Sequence, residues 1–172
     1  MFYSRKTRWP HFIILLFLSA LLSCSSDDKE DLYDEVYLSA NINGNDYLLN
    51  GKTATITARR FIGQTGLLKF EVMAVALNGE WVSFQIPDYK GPDGYIIGEN
   101  PMLPTLIAYG DQSSVGQWSC NNPGPNELEQ NFIEIINDDG IFIAGNFQFT
   151  GQNIDDESLQ KISNGKFRLL VE

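Results

Sequence analysis

Cys24 is the residue whose surroundings point most directly to a chemical reaction. It follows an apolar run from Phe12 to Leu22, and Arg5, Lys6 and Arg8 precede that run. A basic start, about a dozen apolar residues and a small residue before the cleavage point describe a secretory signal. A thiol at this position is well placed for covalent modification when the signal is removed.

The four residues that end this segment, Leu21-Leu22-Ser23-Cys24, resemble a bacterial lipobox. In that motif the cysteine is acylated and becomes the first mature residue, and more than one acyl chain makes membrane attachment stable. A transmembrane helix is the first alternative, but the apolar run is shorter than the roughly 20 residues that a bilayer core requires. A signal peptide without lipidation, cleaved elsewhere, remains open as the second alternative.

The only histidine, His11, lies inside this signal, so the mature chain has none. Histidine is the side chain that titrates closest to neutral pH. Its absence excludes a Ser-His-Asp triad, a Cys-His pair and the imidazole-ligated sites of zinc, copper and non-haem iron. Cys120 lacks both a disulfide partner and an activating histidine, so we expect it to be a small buried residue at the end of a strand.

Carboxylates are the remaining catalytic candidates, because a pair of them hydrolyses glycosides. Glu71, Glu80, Glu99 and Glu134 lie in or beside predicted strands. No motif singles out two of them, and a solvent-facing position explains each more simply. A carboxylate-dependent hydrolase such as a glycosidase therefore stands as the alternative function. The sequence assigns no catalytic residue, no metal site and no cofactor.

Several aromatic residues near predicted loops, or on a non-core face, are candidates for ligand binding. Aromatic rings provide a large contact area at low entropic cost, as a glycan or a protein ligand requires. Packing within a two-layer β fold is the competing explanation. The predicted ligand-binding residues are Trp81, Tyr95, Tyr109 and Trp118.

The mature chain is strongly acidic. Three of the 12 basic residues precede Cys24, which leaves nine basic and 22 acidic residues and a net charge of −13. Such acidity argues against nucleic acid and against docking on anionic headgroups. The 149 residues from Cys24 to Glu172 are enough for one domain.

The rest of the chain consists of short strands separated by Gly, Asn, Asp and Pro. Asn43-Gly44 predicts a two-residue hairpin, and Asn78-Gly79 predicts another between strands at 67–77 and 81–86. The second face of the 67–77 strand is also apolar, so we expect something to cover it. A helix is predicted at 155–161, and Asn164-Gly165 predicts a turn before the closing strand. We expect an all-β, single antiparallel β-sandwich or partly closed barrel of roughly nine or ten strands.

After the lipobox comes the serine-aspartate tract Ser25-Ser26-Asp27-Asp28, and several short motifs follow along the chain. These motifs are Ile42-Asn43-Gly44 with Tyr47, Gly94-Tyr95-Ile96-Ile97-Gly98, Ile143-Ala144-Gly145-Asn146-Phe147-Gln148-Phe149 and Ile162-Ser163-Asn164-Gly165-Lys166-Phe167. Together they resemble a family of small Bacteroidota lipoproteins built on a domain of unknown function. The tract resembles the export signal of surface lipoproteins, and a plain solvated spacer is its alternative. The resemblance implies an all-β domain at the cell surface, and it assigns no catalytic residues.

These observations predict three segments: a lipoprotein signal peptide at 1–23, an acidic flexible tether at 24–35 and a β domain at 36–172. The expected location is the cell envelope, with the protein anchored to the outer membrane by its acyl chains and exposed at the surface. The expected role is non-catalytic binding of a glycan or other cell-surface ligand, without nucleic acid.

Overall fold

A computed structural model of the chain describes residues 35–112, 116–124 and 129–172. These residues belong to the second of two units into which the chain divides, Asp31–Glu172. They form eleven β-strands and no α-helix. In chain order the strands are β1 Tyr37–Ile42, β2 Asn45–Asn50, β3 Ala54–Ile62, β4 Leu68–Ala76, β5 Trp81–Ile86, β6 Asp93–Ile96, β7 Leu106–Gly110, β8 Gln117–Cys120, β9 Phe132–Asp138, β10 Phe142–Asn153 and β11 Leu159–Leu170.

The predicted all-β class is confirmed, because the strands form one antiparallel sheet that nearly closes into a barrel. Its order is β2-β1-β11-β10-β8-β7-β5-β4-β3, with β9 paired to β10 and β6 paired to β9. The far end of the sheet returns to β11 through a parallel bridge between Ala58 and Val171. The amide of Glu172 also donates to the carbonyl of Ala58 at 2.9 Å.

The Asn43-Gly44 hairpin is confirmed. Ile42 pairs with Asn45, so two residues connect β1 to β2. Asn43 has φ +50° and Gly44 has φ +88°, as a type I′ turn requires. Asn tolerates this region better than other residues with a side chain, so the local sequence determines the turn.

The hairpin between β4 and β5 is also confirmed, but its loop differs from the prediction. The amide of Ala76 donates to the carbonyl of Glu80, which leaves the three residues 77–79 in the loop. Gly79 has φ +93°, whereas Asn78 does not have a positive φ. This geometry is typical of three-residue hairpin loops that carry glycine in the left-handed region.

The core lies on the inner face of the sheet and contains a cluster of phenylalanines. Phe70, Phe84, Phe147 and Phe167 contact one another with ring centroids 5.3 to 6.4 Å apart. All four are buried. Cys120 is 1% exposed at the end of β8, as expected. Burial also raises the pKa of its thiol.

Two of these rings cover glycines on the neighbouring strand. Phe147 pairs with Gly165 and Phe167 pairs with Gly145 across β10 and β11. A β-carbon at either glycine would lie 2.6 Å from a ring atom of the phenylalanine opposite. Each glycine therefore makes room for the ring that covers it.

Strand β10 changes partner along its length. Up to Gln148 it pairs with β9, and from Gln152 it pairs with β8. Between these points the side chain of Asn131 accepts a hydrogen bond from the amide of Thr150 at 2.9 Å. Asn131 is 3% exposed. Its amide group also donates to the carbonyl of Asn122 at 3.0 Å.

An ion pair joins β3 to the end of β9. Nη1 of Arg60 lies 3.0 and 2.7 Å from the two carboxylate oxygens of Asp138. The hydroxyl of Tyr89 donates to the same carboxylate at 2.7 Å, and the amide of Gly140 donates to it at 3.0 Å. The carboxylate of Asp138 thus accepts four hydrogen bonds.

The helix predicted at 155–161 is wrong. Residues 154–158 form a turn, and β11 begins at Leu159. The amide of Asp155 donates to the side chain of Asn153, and the amide of Ser158 donates to that of Asp156. Glu157 has φ +61°, which an α-helix does not allow. Hydrogen bonds from backbone amides to nearby side chains therefore take the place of the backbone hydrogen bonds of a helix.

The turn predicted at Asn164-Gly165 is also wrong, because these residues lie inside the continuous strand β11. Asn164 has φ +52°. The register with β10 shifts between Phe147 and Phe149. An extra residue in one strand, with its first position in the left-handed region, makes a β-bulge.

Candidate functional site

The outer face of strands β3, β4, β5, β7 and β8, which is turned away from the core, carries an ordered row of small side chains. The cross-strand register places one residue from each strand in line. In strand order the row is Thr57, Met73, Ser83, Ala108 and Ser119. Three of these side chains have no more than two heavy atoms, so the row forms a depression.

A second row on the same face is larger and more polar. Arg59 pairs with Glu71, which pairs with Gln85, which pairs with Leu106. Asn121 lies at the far end of this row, directly after β8. A groove of about 700 Å³ is lined by the two rows. This volume is typical of a small-molecule site.

The groove combines apolar and hydrogen-bonding surface. Met73 is 47% exposed. Leu106 and Ala108 extend the apolar part, while the hydroxyl of Ser83 and the amide of Gln85 provide donors and acceptors. A sugar ring presents the same mixture of C–H faces and hydroxyl groups. The expected cover over the second face of β4 is not found over Met73 among the described residues, since nearly half of this side chain is exposed.

Glu71 is the only carboxylate among the described residues that line the groove. Its Oε1 lies 2.6 Å from Nζ of Lys69, and its Oε2 lies 3.4 Å from Nη2 of Arg59. Glu134 accepts a hydrogen bond from Asn146 at 2.9 Å on a different part of the sheet. The groove does not bring two carboxylates together as a glycosidase requires. Among the described residues no three histidine, cysteine or acidic side chains converge on a metal position.

Trp81 lies on the same outer face, two residues before Ser83 along β5. Its cross-strand partner is Gly110. A β-carbon at Gly110 would lie 2.1 Å from Nε1 of Trp81, so the indole covers that glycine. Trp81 is half-buried. It is not among the residues that line the groove, but lies in the next row on this face, in line with Gly110.

Tyr109 and Trp118 lie together on the opposite, inner face. Their rings stack with centroids 5.9 Å apart, and Tyr47 contacts Tyr109 edge to face at 6.2 Å. Nε1 of Trp118 donates to the hydroxyl of Ser158 at 3.0 Å. Burial, together with the nearby carboxylate of Glu80, raises the pKa of Tyr109 to about 12. These rings are part of the packed interior.

Tyr95 lies at a third place. Its ring stacks on Tyr89 with centroids 6.0 Å apart. Its hydroxyl donates to the carbonyl of Gly91 at 2.8 Å and accepts from the amide of Lys90 at 2.9 Å. The four predicted binding residues therefore do not form one site, and Trp81 is the one that lies in the row next to the groove.

Sequence reasoning missed the residues that line the groove, above all Met73, Ser83, Ala108 and Ser119. One signal was available, because the alternation of β4 placed Met73 on an apolar second face. Alternation alone does not show which strands lie beside β4, so it does not assemble the groove. Only the register across five strands does so.

Cys24 lies outside the described residues, so its acylation stays a prediction. The predicted boundaries at 23 and 24 lie outside them as well. In the part of the chain that the structure describes, no helix has the length and apolarity to span a bilayer.

Comparisons with known proteins did not identify relatives. A scan against protein-family models found no match, and neither the search of curated proteins nor that of solved structures found one.

Proposed function

We propose that this protein is a lipid-anchored component of a bacterial cell envelope and that its β domain binds a glycan in the groove on the outer face. The observation that carries the proposal is the groove itself, about 700 Å³ in volume, in which Met73, Leu106 and Ala108 lie among hydroxyl and amide groups. Carbohydrate binding needs such apolar and polar surface side by side.

Trp81 supports this assignment. A tryptophan beside a groove provides a flat apolar surface on which a sugar ring packs. Its contact with Gly110 holds the indole in place before any ligand arrives. A fixed ring loses little conformational entropy on binding, which favours affinity.

The anchor is the second part of the proposal. It is supported by the order of basic residues, apolar run and Cys24, and by the acidic tract that follows. The resemblance to Bacteroidota surface lipoproteins favours attachment to the outer membrane with the domain displayed outside. A glycan of the cell surface or of the surroundings would then be within reach of the groove.

Binding is tested by filling the groove. Ala108→Tyr places a large side chain in the central row, and its matched control is Ala144→Tyr, which lies on β10 in the other part of the sheet. We expect wild-type protein and the Ala144→Tyr variant to bind the same members of a glycan array, and Ala108→Tyr to bind none. Trp81→Ala should weaken binding at least tenfold.

Equal midpoint temperatures of unfolding for the two tyrosine variants would show that the loss of binding does not come from a loss of folding. A wild-type protein that binds no glycan, or an Ala108→Tyr variant that binds as wild type does, would overturn the glycan assignment. The anchor is tested separately by mass spectrometry of the mature N-terminus and by proteolysis of intact cells. Cys24→Ala should release the protein into the aqueous fraction.

A further inference from the structure

The hairpin between β3 and β4 ends in an exposed apolar tip, residues 61–68, which we call the hairpin tip. Ile62 is 65% exposed, Phe61 is 39% exposed and Leu68 is 37% exposed. The tip has the sequence FIGQTGLL and contains no charged residue. Ile62 and Leu68 are cross-strand partners, so their side chains share one face of the tip.

Basic residues surround this tip. Arg59 and Arg60 precede it and Lys69 follows it, and the chain has no acidic residue between Asp46 and Glu71. The guanidinium carbon of Arg59 and Nζ of Lys69 each lie 5.9 Å from the ring centroid of Phe61. Glu71 pairs with both Arg59 and Lys69, so these two cations lie in ion pairs beside the tip.

The hairpin tip lies at the end of the barrel where the chain enters the domain. Arg60, at the root of the tip, donates to the carbonyl of Gly140 at 3.1 Å. The next residue, Ile141, accepts a hydrogen bond from the amide of Val171 at 2.9 Å. Glu35, the first described residue, lies 2.7 Å from Arg168, three positions before Val171.

Three carboxylates at this end are engaged with their neighbours. Asp138 is held by Arg60, and Glu35 by Arg168. The amides of Phe142 and Ile141 donate to Asp139 and hold its pKa below the usual range. The same two ion pairs engage Arg60 and Arg168, so the feature of this end that a membrane would contact is the apolar surface of the tip.

The opposite end of the barrel differs in charge. Leu77, in the β4–β5 loop, is 87% exposed, and Ile154, in the β10–β11 turn, is 92% exposed. Asp155, Asp156 and Glu157 directly follow Ile154. Exposed apolar residues therefore occur at both ends, and at the opposite end three acidic residues directly follow one of them.

We propose that the hairpin tip inserts into the headgroup region of the membrane to which Cys24 is anchored, with Phe61, Ile62 and Leu68 among the lipids. This inference rests on the lipid anchor of the proposed function. Ten residues separate Cys24 from Glu35, and a chain of that length reaches at most about 35 Å. Anchoring so close to the membrane makes a weak contact effectively intramolecular.

Apolar and aromatic side chains bounded by cations are the pattern of interfacial membrane contacts. Insertion of the tip would orient β3 and β4 so that the ends joined by the tip point toward the membrane. The groove on the outer face of these strands would then open sideways, along the cell surface. The contact would therefore set the direction from which a glycan reaches Trp81 and Met73.

The test uses the mature acylated protein in vesicles of phosphatidylethanolamine and phosphatidylglycerol. Ile62→Cys and its matched control Ile154→Cys each place a thiol at a highly exposed position, and each is labelled with the fluorophore NBD. Cys120 is 1% exposed and stays unlabelled in the folded protein. We expect the emission of the label at position 62 to shift to the blue and to be quenched by lipids with brominated chains. The label at position 154 should remain in water.

Mass spectrometry of the labelled protein separates the two proposals. If Cys24 is acylated and the label at position 62 behaves as that at position 154, the membrane contact is wrong and the anchor stands. If Cys24 is not acylated, the anchor is wrong. The membrane contact is then tested by itself, by whether the emission of the label at position 62 shifts to the blue when vesicles are added. A blue shift that appears without vesicles and grows with protein concentration would mean that a second copy covers the tip, which would overturn the proposal.

Discussion

Asn131 and Thr150 are joined by a hydrogen bond that closes a gap in the sheet. The carbonyl oxygen of the Asn131 side chain lies 2.9 Å from the amide nitrogen of Thr150. It occupies the place along β10 where neither β9 nor β8 provides an acceptor. A side chain thus replaces one bond of the backbone ladder, and the amide of Thr150 is satisfied.

Asn131→Ala should lower the free energy of unfolding by about 1 to 3 kcal/mol, because it removes the hydrogen bonds that the buried Asn131 side chain makes to the amide of Thr150 and the carbonyl of Asn122. Asn146→Ala is the matched control. Its side chain bonds to Glu134 in an exposed position, so a change within about 0.5 kcal/mol is expected. Urea unfolding followed by circular dichroism measures both. Equal losses in the two variants would contradict a special role for Asn131.

Arg60→Met should cost about 3 kcal/mol, since it leaves the carboxylate of Asp138 buried without its cation. The Asp138 side chain is 9% exposed and that of Arg60 is 25% exposed. Combining Arg60→Met with Asp138→Asn should cost less than the sum of the single changes. Arg59→Met is the control, because the Arg59 side chain is 58% exposed in its pair with Glu71, and it should cost below about 1 kcal/mol. Thermal unfolding that ranks Arg59→Met equal to Arg60→Met would refute this prediction.

Gly165→Ala should destabilise the fold by about 1 to 3 kcal/mol through overpacking. The new β-carbon would lie 2.5 Å from the carbonyl oxygen of Phe147 and 2.6 Å from its ring. Gly94→Ala provides the comparison, because a β-carbon there has no neighbour within 4 Å. That control should change stability by less than about 0.5 kcal/mol. Chemical denaturation of both variants measures these changes in the free energy of unfolding. A Gly165→Ala variant as stable as wild type would show that β10 and β11 move apart easily.

Stability should fall as the pH rises from 10 to 12, partly because of Tyr109. Burial raises the pKa of Tyr109 from 10.0 to about 12 in the folded protein. Within this window the unfolded chain has lost the proton that the folded chain keeps, so the unfolded state binds fewer protons and rising pH favours it. Below pH 10 the contribution of Tyr109 is fully present. Urea unfolding across this range should show a smaller slope for Tyr109→Phe than for wild type, and equal slopes would contradict the assignment.

Local signals predicted the turns whose geometry depends on neighbouring residues alone. Asn43-Gly44 forms the hairpin turn that its residue types favour. Asn164-Gly165 has the same types and the same left-handed Asn, yet it forms a bulge inside β11. The difference comes from Phe147 on β10, whose ring needs the space over Gly165. Such a partner is invisible in the local sequence.

The helix prediction failed for a related reason. Acidic residues at 155–157 suit the first turn of a helix, and they suit a tight turn equally well. The structure uses Asn153 and Asp156 to bond the local backbone, so β10 and β11 form one long hairpin. The order of the strands in the sheet could not be predicted from the sequence either, because β2 and β3 are consecutive in sequence yet lie at opposite ends of that order.

For the candidate site, the sequence identified ring residues but not the face on which each lies. Trp81 and Val82 alternate along β5, and the register places Tyr109 opposite Val82. Tyr109 therefore shares the inner face with Val82, while Trp81 lies outside. Residue type made all of these rings plausible binding residues, and only cross-strand pairing separated them.

The position of β1 between β2 and β11 has a mechanical consequence. A pull on the chain ahead of Glu35 acts along β1, whose hydrogen bonds to both neighbours are perpendicular to the strand. Both ladders then bear the load in shear, so many bonds must break together. Since resistance to forced unfolding is set by the unfolding rate, this arrangement should let the domain withstand drag on its N-terminal end.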